Sequence, residues 1–159
     1  VLLAVLESEQ KYIIDYIDYD EKFFSKNIRI FEDDIYRTAS GRIMLSNLPK
    51  EKIYEIYKRY GNPSPESWED ITSFEELCAA LKKIRNSSVV KAYSKAGDVF
   101  HCGYAKGIFK NRECVGAIGI AEILKSEEEI REYMNNNNNE ILLMRAAKEI
   151  NRRLDYDII

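Results

Sequence analysis

The chain has 159 residues, 45% of them hydrophobic and 32% charged, which is typical of a single globular domain. Its formal net charge of −3 and isoelectric point near 5.4 argue against a chain that binds nucleic acid by itself, because such binding needs a concentrated basic face. No apolar run approaches the roughly 18 residues of a membrane span, and no leader peptide is visible, so we expect a cytoplasmic protein. The chain opens on a strand without Met, from which we expect it to be part of a longer protein.

Cysteine and histidine are sparse and widely spaced. Cys78, Cys102 and Cys114 form no CxxC pair and are odd in number, which does not favour a disulfide framework. A structural zinc site would have to gather distant ligands around the one histidine. We therefore expect reduced thiols, no metal site and no cofactor.

The first part of the chain has the pattern of a β-hairpin. Val1 to Glu7 is a continuous apolar run, and Tyr12 to Tyr19 alternates Ile, Asp and Tyr after a short turn. Asn27 to Phe31 predicts a short further strand.

Helix signals follow in the middle of the chain and return at its end. Capping residues and apolar spacing predict helices that begin after Thr38, at Lys50, after Ser73 and after Ser126. Pro49 and Gly61 end the first two. The last pattern runs to Leu154 and is interrupted, or decorated on its exposed face, by five asparagines at 135–139.

Between the helices lies a second hairpin, within residues 89–120. A four-residue polar loop, Lys110 to Glu113, separates its two long strands. If Phe109 faces Cys114, then the following pairs lie opposite each other: Ile108 and Val115, Tyr104 and Gly119, Cys102 and Ala121. That register places Cys102, Tyr104, Gly119 and Ala121 on one face. A slip of one residue would instead bring His101 and Gly103 to the face that forms the cavity.

The order of hairpin, helices, hairpin and helix predicts an α+β fold. We expect one antiparallel sheet of five or six strands, with helices on both faces and the first and last strands in the same sheet.

Three segments of the sequence are similar to motifs of one protein family. They are TASGRIMLSNLP from Thr38, the hairpin segment GYAKGIFKNRECVGAIGI from Gly103, and AAKEINRRL from Ala146. In this order and at these separations they resemble the effector-binding domain of IclR-family transcriptional regulators. The resemblance implies a GAF-like domain over residues 1–159 that senses a small organic molecule. It also implies a winged helix-turn-helix domain, absent from this sequence, that binds DNA, and assembly into dimers or tetramers.

The sequence also departs from the family pattern. Family members that bind small carboxylates use a cysteine near the start of the second hairpin's first strand and serines in its last strand. The cysteine position corresponds here to Cys102 or Gly103, and the serines are replaced by Gly119 and Ala121. The identity of the effector therefore does not carry over.

The predicted ligand site combines a helix start with one face of the second hairpin. A helix start offers unpaired N–H groups to a carboxylate, and Arg37 or Arg42 could add a cation. The candidate residues are Thr38, Ala39, Ser40, Gly41, Arg42, Cys102, Tyr104, Gly119 and Ala121.

Two other functions are compatible with the sequence. One is a GAF-like redox enzyme, which would need an activated cysteine thiolate; since Cys102 has no evident partner, we predict no catalytic residues. The other is a dimerisation module without a ligand, which would have bulky side chains in place of a cavity.

Overall fold

The computed structural model describes residues 1–17 and 35–156. It contains five strands and five helices within those ranges. Their bounds are β1 Leu2–Glu7, β2 Gln10–Tyr16, α1 Ala39–Ser46, α2 Lys50–Tyr60, α3 Phe74–Arg85, β3 Val90–Ala96, β4 Val99–Lys110, β5 Glu113–Leu124, α4 Glu127–Met134 and α5 Asn137–Tyr156. The short strand predicted at 27–31 lies outside the described residues.

The strands form one sheet in the order β2-β1-β5-β4-β3, and every neighbouring pair is antiparallel. The hairpin β1-β2 joins the sheet through β1, where Leu2 pairs with Gly119. The predicted α+β class, the five-stranded antiparallel sheet and the pairing of the first strand with the last are therefore confirmed.

Helices cover both faces of the sheet, as predicted. On one face, α1 packs Ala39 and Met44 against small residues of the strands, including Ala105. On the other face, Tyr104 of β4 packs against Leu143 of α5. Because neighbouring residues of a strand point to opposite sides, β4 contributes to both layers.

Local signals predicted the starts of α1, α2, α3 and α4 correctly. The Thr38 hydroxyl accepts a hydrogen bond from the N–H of Gly41 at 3.1 Å and caps α1. At α4, Ser126 and Glu129 form the full capping box. The predicted long C-terminal helix is two helices, since α4 ends at Met134 and α5 begins at Asn137, within the asparagine run.

The register predicted for the β4-β5 hairpin is wrong beyond its first pairs. Phe109 does pair with Cys114, but Ile108 pairs with Gly116 rather than with Val115. The extra residue on β5 is a β-bulge, and Val115 is 42% exposed there. The connection is also shorter than predicted, because Asn111 and Arg112 alone form the turn, both with positive φ.

Because of the bulge, the residues of β5 after Val115 lie on the opposite face, relative to β4, from the one predicted. Tyr104 pairs with Ile120 instead of Gly119, and Cys102 pairs with Glu122 instead of Ala121. Directly paired residues share a face, so Gly119 and Ala121 lie on the α1 side with Ala105 and Gly103. The slipped alternative, with His101 and Gly103 on the cavity side, is what the structure contains.

Candidate functional site

A cavity of about 200 Å³ lies between the start of α1 and the sheet. For comparison, an engineered apolar cavity of about 150 Å³ is sufficient to hold benzene. This cavity therefore has room for one aromatic ring with a small substituent. Its lining comprises Leu2, Ile13, Arg37, Thr38, Ala39, Ser40, Ala92, His101, Cys102, Gly103, Tyr104, Gly119, Ile120 and Ala121.

The sheet side of the cavity is built from small side chains. Gly103, Gly119 and Ala121 come from β4 and β5, and Ala92 comes from β3. Larger residues at these positions would fill the space that α1 leaves above the sheet. Gly119 and Ala121 are also candidate residues of the sequence analysis, and they stay a prediction as ligand contacts.

Cys102 and Tyr104 line the cavity in a different way from that predicted. The Cys102 side chain packs on the opposite face with Leu124 and Ile130, and the Tyr104 side chain packs with Leu143. What they present to the cavity is therefore main chain. Their predicted grouping with the side chains of Gly119 and Ala121 is wrong, because the bulge at Val115 shifts the pairing of β4 with β5 by one residue.

The helix side of the cavity is the first turn of α1. Thr38, Ala39 and Ser40, three of the candidate residues, line it. The N–H groups of Ala39 and Ser40 have no hydrogen-bond acceptor among the residues that the structure describes. A helix start with open N–H groups carries partial positive charge and is suited to an anion.

Gly41 and Arg42 belong to the scaffold rather than to the cavity lining. A Cβ on Gly41 would overlap the carbonyl oxygen of Ile35, so the glycine permits a close approach of two backbones. The Arg42 guanidinium donates to the carbonyl oxygens of Tyr36 at 2.7 Å and Ser67 at 2.6 Å. It also lies 4.2 Å from the ring centroid of Trp68.

Arg37 is the arginine at the cavity. It lines the cavity wall, and its Nη1 donates to the carbonyl oxygen of Lys95 at 2.8 Å. Of the two cations considered from the sequence, this one is placed to act on a ligand.

Lys11 is a buried cation that the sequence analysis missed. It is only 1% exposed, and its Nζ donates to the Thr38 hydroxyl at 2.8 Å. The signal available was a lysine at the second position of a strand, on the same face as Ile13. Its burial depends on the start of α1, 27 residues away in sequence, which no local pattern reports.

His101 also lies at the cavity, although the register first assumed placed it on the other face. Burial lowers the pKa of its imidazole, and the nearby positive charge of Arg37 lowers it further. Ser94 of β3 pairs with His101 of β4. The Ser94 hydroxyl oxygen is buried and has no hydrogen-bond partner within the described ranges.

The cysteines are free thiols and are not activated. Burial raises the pKa of Cys102 to about 11, and the charge of Glu122 acts in the same direction. The pKa values of Cys78 and Cys114 are also raised, mainly by burial. A raised pKa keeps each thiol protonated near neutral pH, which is the opposite of what nucleophilic chemistry requires.

Residues 1–17 and 35–156 contain neither a metal-binding cluster nor a membrane-spanning helix. No cluster of three or more His, Cys, Asp or Glu side chains there could hold a metal ion. No helix in that part of the chain is both long and apolar enough to cross a membrane.

No protein-family model and no curated protein matches the sequence. Solved structures do match. The C-terminal domain of the Escherichia coli transcriptional regulator KdgR is 20% identical, with a TM-score of 0.67 over 98% of this chain and 87% of that one. An IclR homologue from Microbacterium hydrocarbonoxydans, complexed with 4-hydroxybenzoate, is 19% identical with a TM-score of 0.72. That alignment covers 96% of this chain and 59% of that protein.

A third structure is a double mutant of the inducer-binding domain of the PobR transcription factor from Acinetobacter, in complex with 3-hydroxybenzoic acid. It is 16% identical with a TM-score of 0.69, over 94% of this chain and 86% of that domain. At these identities the likeness concerns the fold. The chain therefore has the fold of the C-terminal, inducer-binding domains of IclR-type transcriptional regulators, which is the fold that the sequence resemblance implied.

Proposed function

We propose that this chain is the effector-binding domain of a transcriptional regulator and that a small organic molecule binds between α1 and the sheet. The single observation that carries the proposal is the cavity of about 200 Å³ between an open helix start and a sheet surface of Gly and Ala. A ligand there would be enclosed by apolar walls and oriented by a few polar groups, the usual design of small-molecule sites.

An organic acid is the favoured ligand class. The N–H groups at the start of α1, the Arg37 guanidinium and the Lys11 ammonium, 2.8 Å from the Thr38 hydroxyl, all place positive charge at one end of the cavity. Hydrogen bonds to a charged group contribute about 1.5–3 kcal/mol each. Together with burial of a ring, they suffice for micromolar affinity. The hydroxybenzoates named with two of the structural neighbours fit this class and this volume.

In the full protein, we propose that ligand binding is coupled to DNA through a helix-turn-helix domain outside this sequence. Self-association into dimers or tetramers would match two-fold operators. The acidic balance of the chain supports the assignment of DNA binding to another domain.

Neither alternative function gains support from the site. Redox catalysis would need a thiolate, whereas burial raises the pKa of the Cys102 thiol. A ligand-free dimerisation module would have a filled interior, whereas Gly103, Gly119 and Ala121 leave a cavity.

The test is a thermal-shift and NMR screen of aromatic and aliphatic acids, with 4-hydroxybenzoate included. A ligand that binds only the native state raises the melting temperature in a concentration-dependent way. Ala121→Leu should fill the cavity and abolish the shift. This variant is preferable to Gly119→Leu, because a Cβ on Gly119 would lie 3.0 Å from the carbonyl oxygen of Tyr104.

Ala79→Leu on the exposed face of α3 is the matched control and should keep the parent's response. Equal binding by Ala121→Leu and the parent would place the ligand elsewhere.

A further inference from the structure

The buried Lys11 determines more than charge, because it limits how the hydroxyl groups at the cavity can point. The Thr38 hydroxyl has three polar neighbours. They are the Lys11 Nζ at 2.8 Å, the Gly41 N–H at 3.1 Å and the Ser40 hydroxyl at 3.3 Å. Two of these neighbours can only donate, since a lysine ammonium and a backbone N–H have no lone pair to offer.

A threonine hydroxyl has one proton and two acceptor lone pairs. The Lys11 ammonium and the Gly41 N–H occupy both lone pairs of Thr38. The proton of Thr38 must therefore go to the oxygen of Ser40. The opposite direction would require a third lone pair on Thr38, which does not exist.

The consequence reaches the cavity through Ser40. Ser40 is 3% exposed, and Thr38 is its side chain's hydrogen-bond partner in the described part of the chain. Since Ser40 accepts from Thr38, its own proton points away from Thr38 and has no acceptor there. Ser40 lines the cavity, so among the residues at 1–17 and 35–156 the place left for that acceptor is the cavity.

We propose that Lys11 is a positioning residue that sets the hydrogen-bond polarity of the cavity, so that the group held beside Ser40 must be a hydrogen-bond acceptor. A ligand that presents only donors would leave the buried Ser40 proton unpaired, which is costly. The inference rests on the proposed function, because it assumes that the cavity binds a ligand.

The binding of neutral molecules differs between a Lys11 that acts only as a positive charge and a Lys11 that sets the direction of the hydroxyl groups. If Lys11 acted only as a positive charge, its removal would weaken the binding of anions and leave the binding of neutral molecules unchanged. If it sets the direction of the hydroxyls, its removal frees a lone pair on Thr38. Ser40 can then donate to Thr38 and offer its lone pairs to a donor in the cavity. Neutral probes therefore separate the two roles.

The experiment measures dissociation constants for benzoate, acetophenone and aniline by NMR titration of the Gly103 and Ala121 amides. Acetophenone presents a neutral acceptor and aniline presents N–H donors on a ring of the same size. In the parent, we expect acetophenone to bind about five- to tenfold tighter than aniline, the factor that one neutral hydrogen bond contributes.

Methionine has a similar length to lysine and no hydrogen-bond donor. Lys11→Met should therefore bring the ratio of acetophenone affinity to aniline affinity close to one. Lys11→Arg retains donors without acceptors and should restore the parent's preference. Ser40→Ala keeps Lys11 and Thr38 in place, removes the final hydroxyl, and should also lose the preference.

The outcomes distinguish this inference from the proposed function. If the parent binds the probes and Lys11→Met or Ser40→Ala keeps the parent's acetophenone-to-aniline ratio, the inference is overturned and the proposed function stands. Equal affinity of the parent for acetophenone and aniline would also overturn the inference and leave the proposed function standing. If none of the three probes perturbs the cavity amides of the parent at millimolar concentration, the proposed function fails, and the inference fails with it.

Discussion

The rings of Tyr104 and Tyr133 meet edge to face with 5.1 Å between their centroids, and the Tyr104 hydroxyl donates to the carbonyl oxygen of Tyr133. This pair joins β4 to the end of α4 on the side of the sheet that faces away from the cavity. Lys91 strengthens the same junction, since its Nζ donates to the carbonyl oxygen of Met134 and lies 2.5 Å from a carboxylate oxygen of Glu140.

Removal of one oxygen atom tests the contribution of this junction. Tyr104→Phe should keep the ring contact and lose this hydrogen bond, while the carbonyl oxygen of Tyr133 keeps the one that it accepts from the Asn136 N–H at 3.1 Å. We expect the free energy of unfolding in urea to fall by about 1 kcal/mol. Tyr54→Phe, at an exposed ring on α2, is the control and should stay within about 0.5 kcal/mol of the parent. Equal effects of the two variants would contradict a structural role for the Tyr104 hydroxyl.

Arg42 should matter for stability. Arg42→Met removes buried donors to Tyr36 and Ser67 and the contact with Trp68, so we expect a loss of about 2–4 kcal/mol in the free energy of unfolding. Arg145→Met on the exposed face of α5 should be nearly neutral. A ligand that binds in the cavity should keep its affinity for Arg42→Met wherever that variant is folded.

Gly41 and Gly97 allow two costs of adding a side chain to be compared. One is a clash with a neighbouring backbone, and the other is an unfavourable backbone conformation. Gly97→Ala places a Cβ in open space at a φ of 61°, which should cost about 1 kcal/mol. Gly41→Ala places it against the carbonyl oxygen of Ile35, so α1 must move, and we expect a larger loss of stability. Urea unfolding of both variants decides the order, and a smaller loss for Gly41→Ala would show that α1 can shift freely.

The pKa of Cys102 predicts a loss of stability at alkaline pH. Its thiol keeps its proton in the folded protein up to about pH 11, whereas the unfolded chain releases it near the ordinary value of 9.0. The folded state therefore binds more protons between these values, and stability falls as pH rises through them. The free energy of unfolding should decline less between pH 8 and pH 10.5 in Cys102→Ala than in the parent. Identical slopes would indicate that the thiol is not desolvated.

The features that the sequence predicted correctly are those encoded over a few residues. Thr38 and Ser126 cap helices because each side chain accepts from an N–H three positions later, a relationship visible in sequence. The polar turn between two β-type runs likewise predicted the two long paired strands β4 and β5.

The features that it missed depend on residues far apart in the chain. A Cβ on Gly116 would come within 2.6 Å of the carbonyl oxygen of Ala4, so this part of β5 is shaped by β1. The bulge beside it moved every later side chain of β5 to the other face. The burial of Lys11 similarly depends on Thr38, and a lysine beside a turn is ordinarily expected to be solvated.

Strand β4 is a common wall between two compartments, because His101 and Gly103 face the cavity whereas the side chains of Cys102 and Tyr104 pack towards α4 and α5. Substitutions at 101 or 103 can therefore change which molecule fits while the surface under Tyr104 and Cys102 remains intact. Adjacent positions of this one strand can therefore change independently, one altering the ligand preference and the next altering the packing of α4 and α5. A library restricted to positions 101 and 103 should therefore yield altered specificity with little loss of folded protein.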